Sequence, residues 1–233
     1  MINISQIKFL LTERYQKTTF IVVVLMYSAG TIGLLLPSTQ PYFKLASPLN
    51  LWVSLILLFL FHRDFNKSFV TITIIIFWVG FFVEVVGVHT GVIFGKYWYG
   101  KTLGTKLFEV PLVIGANWLL LIYCSSVVIL NIFESLKQHL PINSWLENTF
   151  LKAFFASVLM VSLDFLIEPV AIHLDFWHWQ FEQIPIQNFQ AWFLIAFILC
   201  YLFLKGRFLK SNLLAPLLLL LQFLFFIAIR ILK

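Results

Sequence analysis

The chain has 233 residues, of which 61% are hydrophobic and 11% are charged, whereas a soluble domain carries about 25% charged residues. This composition excludes an ordinary water-soluble fold and indicates an integral membrane protein. The net charge of +6 does not indicate a nucleic-acid-binding protein, because the basic residues are scattered among short loops and form no single stripe.

Seven apolar segments are candidates to cross a hydrocarbon layer about 30 Å thick as α-helices. The second segment is short, so it is tilted, re-entrant or extended by its flanks. The first apolar run is longer than that of a signal peptide and lacks an Ala-x-Ala site, so we expect a retained helix. We therefore expect an all-α, polytopic transmembrane bundle of about seven helices, forming a single integral membrane domain over residues 1–233. The expected spans are 18–36, 47–61, 69–88, 108–131, 150–168, 189–205 and 212–231.

Basic residues near the spans indicate how the bundle is oriented in the membrane. With seven spans, ten Lys and Arg residues fall on the side of the N-terminus and six on the opposite side. This bias favours an N-terminus in the cytoplasm.

Four polar side chains are expected at one depth, near the face opposite the N-terminus. The third span ends with Glu84, and the fifth ends with Asp164 and Glu168. The fourth span starts on the same face and carries Asn117 about two turns into the hydrocarbon. Ionisable residues inside a bilayer cost about 2.5–3.5 kcal/mol each, so they usually face the bundle interior and serve a function. The alternative is that Glu84 or Glu168 lies just outside the hydrocarbon as an interfacial cap.

Asp164 and Glu168 are four residues apart, which stacks their carboxyl groups on one helix face. Pro169 is expected to end that helix immediately afterwards. Two carboxyl groups so close in a poorly hydrated place cannot both ionise easily, so one is expected to keep its proton beside a carboxylate acceptor. The pair is a candidate acid and base. A structural ion pair is the alternative, although neither residue has Lys or Arg three or four positions away.

The loops on the same face are rich in glycine and aromatic residues. They comprise residues 91–104, GVIFGKYWYGKTLG, and residues 170–185, VAIHLDFWHWQFEQIP. Glycines permit tight turns and close backbone approach, so we expect a Gly/aromatic loop folded against one face of the bundle. The aromatic belt of a membrane interface is the alternative for these rings, particularly for Trp98 and Phe176.

The histidine content argues against an iron-dependent membrane oxygenase. The five histidines form no HxxxH or HxxHH sequence, which such enzymes need for their metal ligands. His173 and His178 near Asp175 are the one candidate metal-binding group, but a polar interfacial loop accommodates them without a metal. We therefore expect no metal site.

Three stretches of the chain resemble one known family: residues 84–100, 110–118 and 164–179, which read EVVGVHTGVIFGKYWYG, VPLVIGANW and DFLIEPVAIHLDFWHW. They are similar to the carotenoid biosynthesis proteins, which include carotenoid 1,2-hydratases and bisanhydrobacterioruberin hydratase. The family pattern is a glutamate followed by G-x-x-T-G-x-x-F-G-x-Y-x-Y, then a Pro and a Trp in the next span, then D-x-x-x-D-P and W-x-W. One departure is Glu168, which stands where the pattern has its second aspartate. The matching residues are Glu84, Gly87, Thr90, Gly91, Phe94, Gly95, Tyr97, Tyr99, Pro111, Trp118, Asp164, Pro169, Trp177 and Trp179.

The resemblance implies a cofactor-independent hydratase, in the hydro-lyase class, that adds water to the terminal 1,2 double bond of an acyclic (psi) carotenoid end group. A carboxylic acid would protonate C2, a tertiary cation would form at C1, and water would attack it. Asp164 is the expected acid. Glu84 or Glu168 would orient and deprotonate the water, with Asn117 as a hydrogen-bond partner. The residues expected to bind the substrate or shield the cation are Tyr97, Tyr99, Trp118, Trp177, Trp179, Phe94, Thr90 and His89.

The partners implied are a carotenoid such as lycopene or γ-carotene from the bilayer, water and membrane lipid, with no nucleic acid. The implied location is the cell (inner) membrane of a prokaryote. An end-group cyclase, in which the substrate captures its own cation, is an alternative. A transporter or a non-catalytic carotenoid-binding protein is another, although the polar residues cluster toward one face and the two halves of the chain look unrelated.

Overall fold

The computed structural model describes residues 4–139, 144–181 and 183–232, with side chains described from residue 15 onward except at residue 144. In this part of the chain seven helices are long and apolar enough to cross a membrane, so the protein is an integral membrane protein. The predicted all-α, seven-helix bundle is confirmed. The helices are α1 Ile4–Leu35, α2 Gln40–Leu60, α3 Lys67–Thr90, α4 Val113–His139, α5 Thr149–His173, α6 Ile186–Lys205 and α7 Leu214–Leu232.

Helix α4 occupies the centre of the bundle. Its most apolar stretch is 83% buried, and α2, α3, α5, α6 and α7 all pack against it. Residues 118–127 are buried without interruption, which is the burial expected of a helix that is apolar on every side. Helix α1 lies at the periphery, against α2 and α7.

Helix α3 has a well-defined cap at each end. Its N-cap is Asn66, whose side-chain oxygen accepts a hydrogen bond from the Phe69 N–H at 3.0 Å. Its C-cap is Gly91, which adopts a left-handed conformation with φ of 67° that costs glycine little. The chain therefore leaves α3 less than two turns after Glu84 and folds back over the end of the bundle.

Helices α2 and α4 begin at positions that differ from the predicted spans. Helix α2 is extended by its N-terminal flank to 21 residues, with a proline in its first turn where a missing N–H is harmless. Helix α4 starts at Val113 because the preceding residues form a small hairpin, β2 Lys106–Leu107 with β3 Val110–Pro111. Asn117 is consequently just over one turn into α4.

The prediction that Pro169 ends the fifth helix is wrong, because α5 continues to His173. Proline has no N–H, so the carbonyl of Phe165, four residues earlier, loses its helical partner. Arg230 near the end of α7 supplies a replacement, since its Nη1 donates to this carbonyl at 3.4 Å. Its guanidinium also lies 5.1 Å from the centre of the Phe165 ring. A donor from another helix thus compensates for the proline.

Two short strands close the end of the bundle at which α3 and α5 finish. Strand β1, Tyr97–Tyr99, pairs antiparallel with β4, Trp177–Trp179, and we call this pair the aromatic ribbon. Bonds from the Gly100 N–H to the Phe176 carbonyl at 2.9 Å and from the Gln180 N–H to the Lys96 carbonyl at 3.0 Å continue the ladder on both sides. The two loops therefore fold against one face of the bundle, as predicted.

Candidate active site

Three acidic side chains are buried beneath the aromatic ribbon. Glu84 on α3 is 2% exposed, and on α5 Asp164 is 0% and Glu168 is 2% exposed. Within the described ranges no Lys or Arg lies within ion-pair distance of any of them. Buried acids without a cationic partner need hydrogen bonds, so their partners define the state in which each is held.

Glu84 accepts hydrogen bonds from three side chains. The hydroxyl groups of Tyr97 and Tyr99 donate to Oε2 at 2.5 and 2.9 Å, and the indole Nε1 of Trp118 donates to Oε1 at 2.9 Å. An ionised carboxylate offers only acceptors, and an indole N–H is only a donor. The surroundings of Glu84 are therefore those of a carboxylate anion stabilised by charge-assisted hydrogen bonds.

Glu168 is surrounded in the same manner by different donors. The indole Nε1 atoms of Trp177 and Trp179 donate to Oε2 at 3.0 and 2.8 Å. The side-chain amide of Asn188, on α6, donates to Oε1 at 3.0 Å. All three groups act as donors, so Glu168 is also placed as an acceptor.

Asp164 differs from the two glutamates. Its Oδ2 accepts from the Asn188 amide at 3.2 Å, while its Oδ1 has no partner among the described residues. A bare, buried carboxylate oxygen is costly, whereas a protonated carboxyl group has fewer acceptor sites to satisfy. Of the three acids, Asp164 has the surroundings that best suit a bound proton.

The aromatic ribbon supplies most of these donors because neighbouring residues of a strand point to opposite faces. Tyr97 lies opposite Trp179 and Tyr99 lies opposite Trp177, so all four side chains point inward. The alternate pair, Trp98 and His178, points outward, and its rings stack at 5.9 Å. Trp98 is 51% exposed, which suits the membrane interface.

Both inward-facing phenols are held in their neutral form. Burial and the nearby Glu84 carboxylate raise the pKa of Tyr97 and of Tyr99 well above the ordinary value of 10.0. They therefore remain hydrogen-bond donors throughout the physiological pH range.

On the outer side of the ribbon, Asp175 connects the two loops. Its Oδ2 accepts from the Lys101 N–H at 3.1 Å, and its Oδ1 lies 2.7 Å from Nε2 of His178. Although partial burial opposes the change, these two hydrogen bonds lower the pKa of Asp175 below its ordinary value of 3.8. Asp175 is therefore ionised at neutral pH and ties the β1 loop to the β4 loop.

Close packing around α3 requires glycine at two positions. A Cβ atom at Gly80 would lie 2.5 Å from Cβ of Trp118, and one at Gly87 would lie 2.6 Å from the Phe94 ring. Both distances are shorter than any normal carbon contact. The glycines let Trp118 and Phe94 lie directly against the helix that carries Glu84.

A small cavity of about 20 Å³ lies between the two glutamates. Its polar walls are formed by Glu84, Glu168, Asn117 and Asn188, and its remaining walls are mainly aromatic. A space of this size holds about one water molecule, which needs two to four polar partners. The four polar side chains in the walls can provide these partners.

A larger cavity of about 310 Å³ adjoins the small one. It lies between α1, α2 and α7, and its walls are mostly apolar, with Ser47, Asn50, Asn117 and Gln222 as the polar side chains. Ile114, Asn117 and Trp177 line both cavities, so these side chains form the boundary between them. Asn117 has no hydrogen-bond partner within the described part of the chain, so its amide is free to bind a ligand at this boundary.

The structure brings most of the predicted site residues together. Among the predicted catalytic residues, Glu84, Glu168 and Asn117 line the small cavity, whereas Asp164 lines neither cavity and shares the Asn188 amide with Glu168. The predicted binding residues that line the small cavity are Tyr97, Tyr99, Trp177, Trp179 and Phe94.

Three predicted binding residues lie elsewhere. Trp118 lines neither cavity and instead contacts Glu84. His89 is exposed and lies 3.6 Å from the Glu109 carboxylate, and the Thr90 hydroxyl donates to the Val86 carbonyl at 2.6 Å. Both sit on the last, solvent-facing turn of α3 and contact neither cavity.

Two residues of the site were not predicted. Asn188 joins Asp164 to Glu168, and Trp192 lines the small cavity and stacks on Trp118 with ring centres 4.2 Å apart. Asn188 lies one residue before the predicted sixth span, at the same face as the acids. Its polar side chain at that depth was the available signal.

No group of three or more His, Cys, Asp or Glu residues in the described ranges is arranged to hold a metal ion. The site is thus built from carboxyl groups, amides and aromatic donors.

Comparisons with known proteins agree with the motifs that surround this site. Neither a search of curated proteins nor a search of solved structures found a match. A family model described as carotenoid biosynthesis protein matches residues 47–232, which include every acid, amide and aromatic donor of the site. The chain therefore belongs to the carotenoid biosynthesis protein family and has a role in carotenoid biosynthesis.

Proposed function

We propose that the protein is a cofactor-independent hydratase that adds water to the terminal 1,2 double bond of an acyclic carotenoid end group. One observation carries the proposal: a water-sized cavity walled by Glu84, Glu168 and Asn117 adjoins a large apolar cavity. Hydration of an alkene end needs such a junction, because a hydrophobic terminus, a proton donor and a single water molecule must meet.

The first step is proton transfer to C2 of the double bond. Asp164 and Glu168, one helix turn apart on α5, hold one proton between them, and the Asn188 amide donates a hydrogen bond to each carboxyl group, which positions the pair. Glu168 is the member that lines the small cavity, so it delivers the proton, and Asp164 is the member that stores it. A new C2–H bond forms, and the electron pair of the double bond leaves C1 as a tertiary cation.

The cation is stabilised by fixed charge and by aromatic faces. Glu84 is held as an anion by its three donors and faces the same small cavity. The rings of Tyr97, Tyr99, Trp177 and Trp179 surround that cavity, and each cation–π contact contributes about 0.5–2 kcal/mol. Such groups need no reorganisation when the charge develops.

Water capture completes the reaction. A water molecule held by the amide of Asn117 and by Glu168, which is a carboxylate once it has given up its proton, forms a bond from its oxygen to C1. One of the water protons passes to Glu168, which restores the proton used in the first step. The balance is one alkene and one water to one tertiary alcohol, with no oxidation or reduction.

The cyclase alternative shares the first step and differs in what captures the cation. The water-sized cavity between polar walls favours hydration over capture by the substrate's own next double bond. The proposed location is the inner membrane of a prokaryotic cell with the N-terminus in the cytoplasm, which the ten-to-six distribution of basic residues supports.

The test is expression in cells that make lycopene or γ-carotene, followed by mass analysis of the pigments. Hydration predicts a product heavier by one water, which takes up heavy oxygen from labelled water and one non-exchangeable deuterium from deuterated water. A cyclase would produce an isomer that takes up deuterium without oxygen. Retention of unaltered pigment by the purified protein would instead identify a carotenoid-binding role.

A further inference from the structure

The larger cavity extends far from the carboxyl groups, deep into the membrane. Its walls run along α1 from Met26 to Leu34 and along α2 from Phe43 to Val53. At the rise of an α-helix these stretches cover about 12–15 Å, or about half of a hydrocarbon layer about 30 Å thick. The cavity is therefore an elongated slot and not a round pocket beside the site.

The slot opens to the side of the bundle. Ala29 on α1 and both Ala46 and Leu49 on α2 line the slot and are also exposed on the outer surface. Ala29 and Ala46 are each six residues from the helix end nearest the site, hence about 9 Å inside that end. At this depth the surroundings of the bundle are hydrocarbon, so the opening faces lipid.

The opposite end of the slot is closed. Phe176 and Trp177 form its end wall beneath the aromatic ribbon, where Asn117 separates it from the small cavity. A hydrocarbon chain that enters from the bilayer therefore stops with its tip at the boundary with the small cavity, which the two glutamates line.

We infer that this slot, the lateral channel, binds the terminal segment of one extended, unsaturated hydrocarbon chain that enters sideways from the bilayer while the rest of the chain remains in lipid. This inference rests on the proposed function for the chemistry at the tip, but the channel itself is a binding site independent of that chemistry. The occupant carries no charged group, because the walls offer no charged side chain.

The dimensions have a consequence for substrates with two reactive ends. The channel accepts only one end, and the remainder of the chain lies outside the protein. A symmetrical substrate must leave, turn around and enter again, so the singly modified molecule is released before the second end reacts. The length of the chain beyond the channel does not affect binding.

The α1 wall is contributed by a part of the chain that precedes the family match, which begins at residue 47. Gly30 on α1 lines the channel, and a Cβ atom there would contact only a ring atom of Phe225, at 3.7 Å. A larger side chain at this position would occupy channel volume, and its Cβ atom would meet no backbone atom of another helix within 4 Å. Gly30 is therefore the position at which to block it.

The decisive experiment compares Gly30→Phe with Leu25→Phe on the same helix. Leu25 is 62% exposed on the lipid side and does not line the channel, so it is the matched control. Both variants are expressed in lycopene-producing cells and purified in mild detergent, and the lycopene retained per protein is measured by visible absorption. We expect bound lycopene and product to fall at least tenfold in Gly30→Phe. In Leu25→Phe both amounts should stay within twofold of those of the unmodified protein.

If Gly30→Phe retained as much lycopene per protein as the unmodified protein, the channel proposal would be refuted, whether or not the protein is a hydratase. An original protein that retains lycopene without forming an alcohol would refute the hydratase proposal, while the pigment loss in Gly30→Phe would still support the channel. Ala46→Trp gives a second route if Gly30→Phe does not accumulate in the membrane, because Ala46 is exposed and its substitution narrows only the opening. A tenfold slower product formation in Ala46→Trp supports lateral entry, and an unchanged rate overturns it.

A time course with lycopene tests release between the two ends. We expect the singly hydrated pigment to appear free before the doubly hydrated one. Doubly hydrated pigment that forms without a free singly hydrated pool would overturn the one-end mode of binding.

Discussion

Tyr97 and Trp179 lie directly opposite each other in the aromatic ribbon, with ring centres 5.2 Å apart, yet they bind different carboxylates. Tyr97 donates to Glu84 on α3, and Trp179 donates to Glu168 on α5. One strand pair therefore sets the distance between acids carried by two helices. A slip of one residue in the register of β4 would turn Trp177 and Trp179 away from Glu168 while Tyr97 and Tyr99 still faced Glu84.

Glu84→Gln should abolish most of the hydration. The amide keeps the shape but loses the charge, and its NH₂ group faces donors from Tyr97, Tyr99 and Trp118. We expect turnover to fall by about 10²–10³-fold, the range for loss of one preorganised electrostatic contact. Turnover is measured by mass analysis of pigments, with protein content determined in the membrane fraction.

The matched control for this variant is Glu109→Gln. Glu109 lies in the neighbouring hairpin turn, and its side chain is 72% exposed. The Glu109→Gln variant should retain normal turnover. Equal activity of the two variants would remove Glu84 from the mechanism.

Asp164→Asn should stop hydration while the protein still inserts into the membrane. Asparagine cannot store the proton that Glu168 delivers, and the loss of general acid catalysis corresponds to about 10²–10⁴-fold. Ser162→Ala, on the exposed side of α5, is the control. Because Asp164 lines neither cavity, lycopene binding should be unchanged, and a variant with normal turnover would refute its role as the proton store.

Gly80→Ala should destabilise the bundle and disturb the site. The added methyl group would lie 2.5 Å from Cβ of Trp118, and such overpacking costs about 1–3 kcal/mol. Displacement of Trp118 would also weaken its bond to Glu84. Thermal unfolding in detergent measures the effect, with Gly30→Ala as a stability control, since its methyl group meets nothing closer than 3.7 Å.

Arg230→Met should lower the thermal stability of the protein, because the Phe165 carbonyl freed by Pro169 would lose its donor. The effect should depend on the proline. In a Pro169→Ala background the helix N–H returns to that carbonyl, so removal of Arg230 should matter less. Equal losses of melting temperature in the two backgrounds would show that Arg230 does not act through this carbonyl.

The paired phenols should make stability fall at high pH. The pKa values of Tyr97 and Tyr99 are raised in the fold above 10.0, so their contribution is fully present below about pH 10. It is lost as the pH rises toward the raised folded values, because only the unfolded chain ionises easily there. Thermal unfolding from neutral pH to about pH 11 should show a shallower decline for the Tyr97→Phe/Tyr99→Phe double variant. Tyr42→Phe, at a residue that is 73% exposed, should decline like the original protein.

Much of the architecture follows from the sequence because hydrocarbon thickness imposes a length that apolar runs reveal. The same reasoning places Glu84 and Glu168 at one end, since charged side chains interrupt otherwise apolar helices. The pairing of β1 with β4 could not be predicted, because three-residue strands far apart in sequence carry no periodic signal.

The lateral channel could not be predicted from the sequence either. Ala29, Gly30 and Ala46 look like ordinary small residues of membrane helices, and the gap that they leave depends on how α1, α2 and α7 pack. The prediction that Pro169 ends α5 failed for a related reason. The hydrogen bond that proline cannot make is replaced by one from Arg230, 61 positions later in the sequence.

Every donor to the two glutamates comes later in the chain than the acid it serves. Residues 97, 99 and 118 follow Glu84, and residues 177, 179 and 188 follow Glu168. During synthesis each acid thus emerges from the ribosome before any of its partners exists. It must wait at the aqueous boundary or enter the bilayer as an uncharged acid, and it gains its stabilising contacts only when the following helices have been made and the two loops have docked.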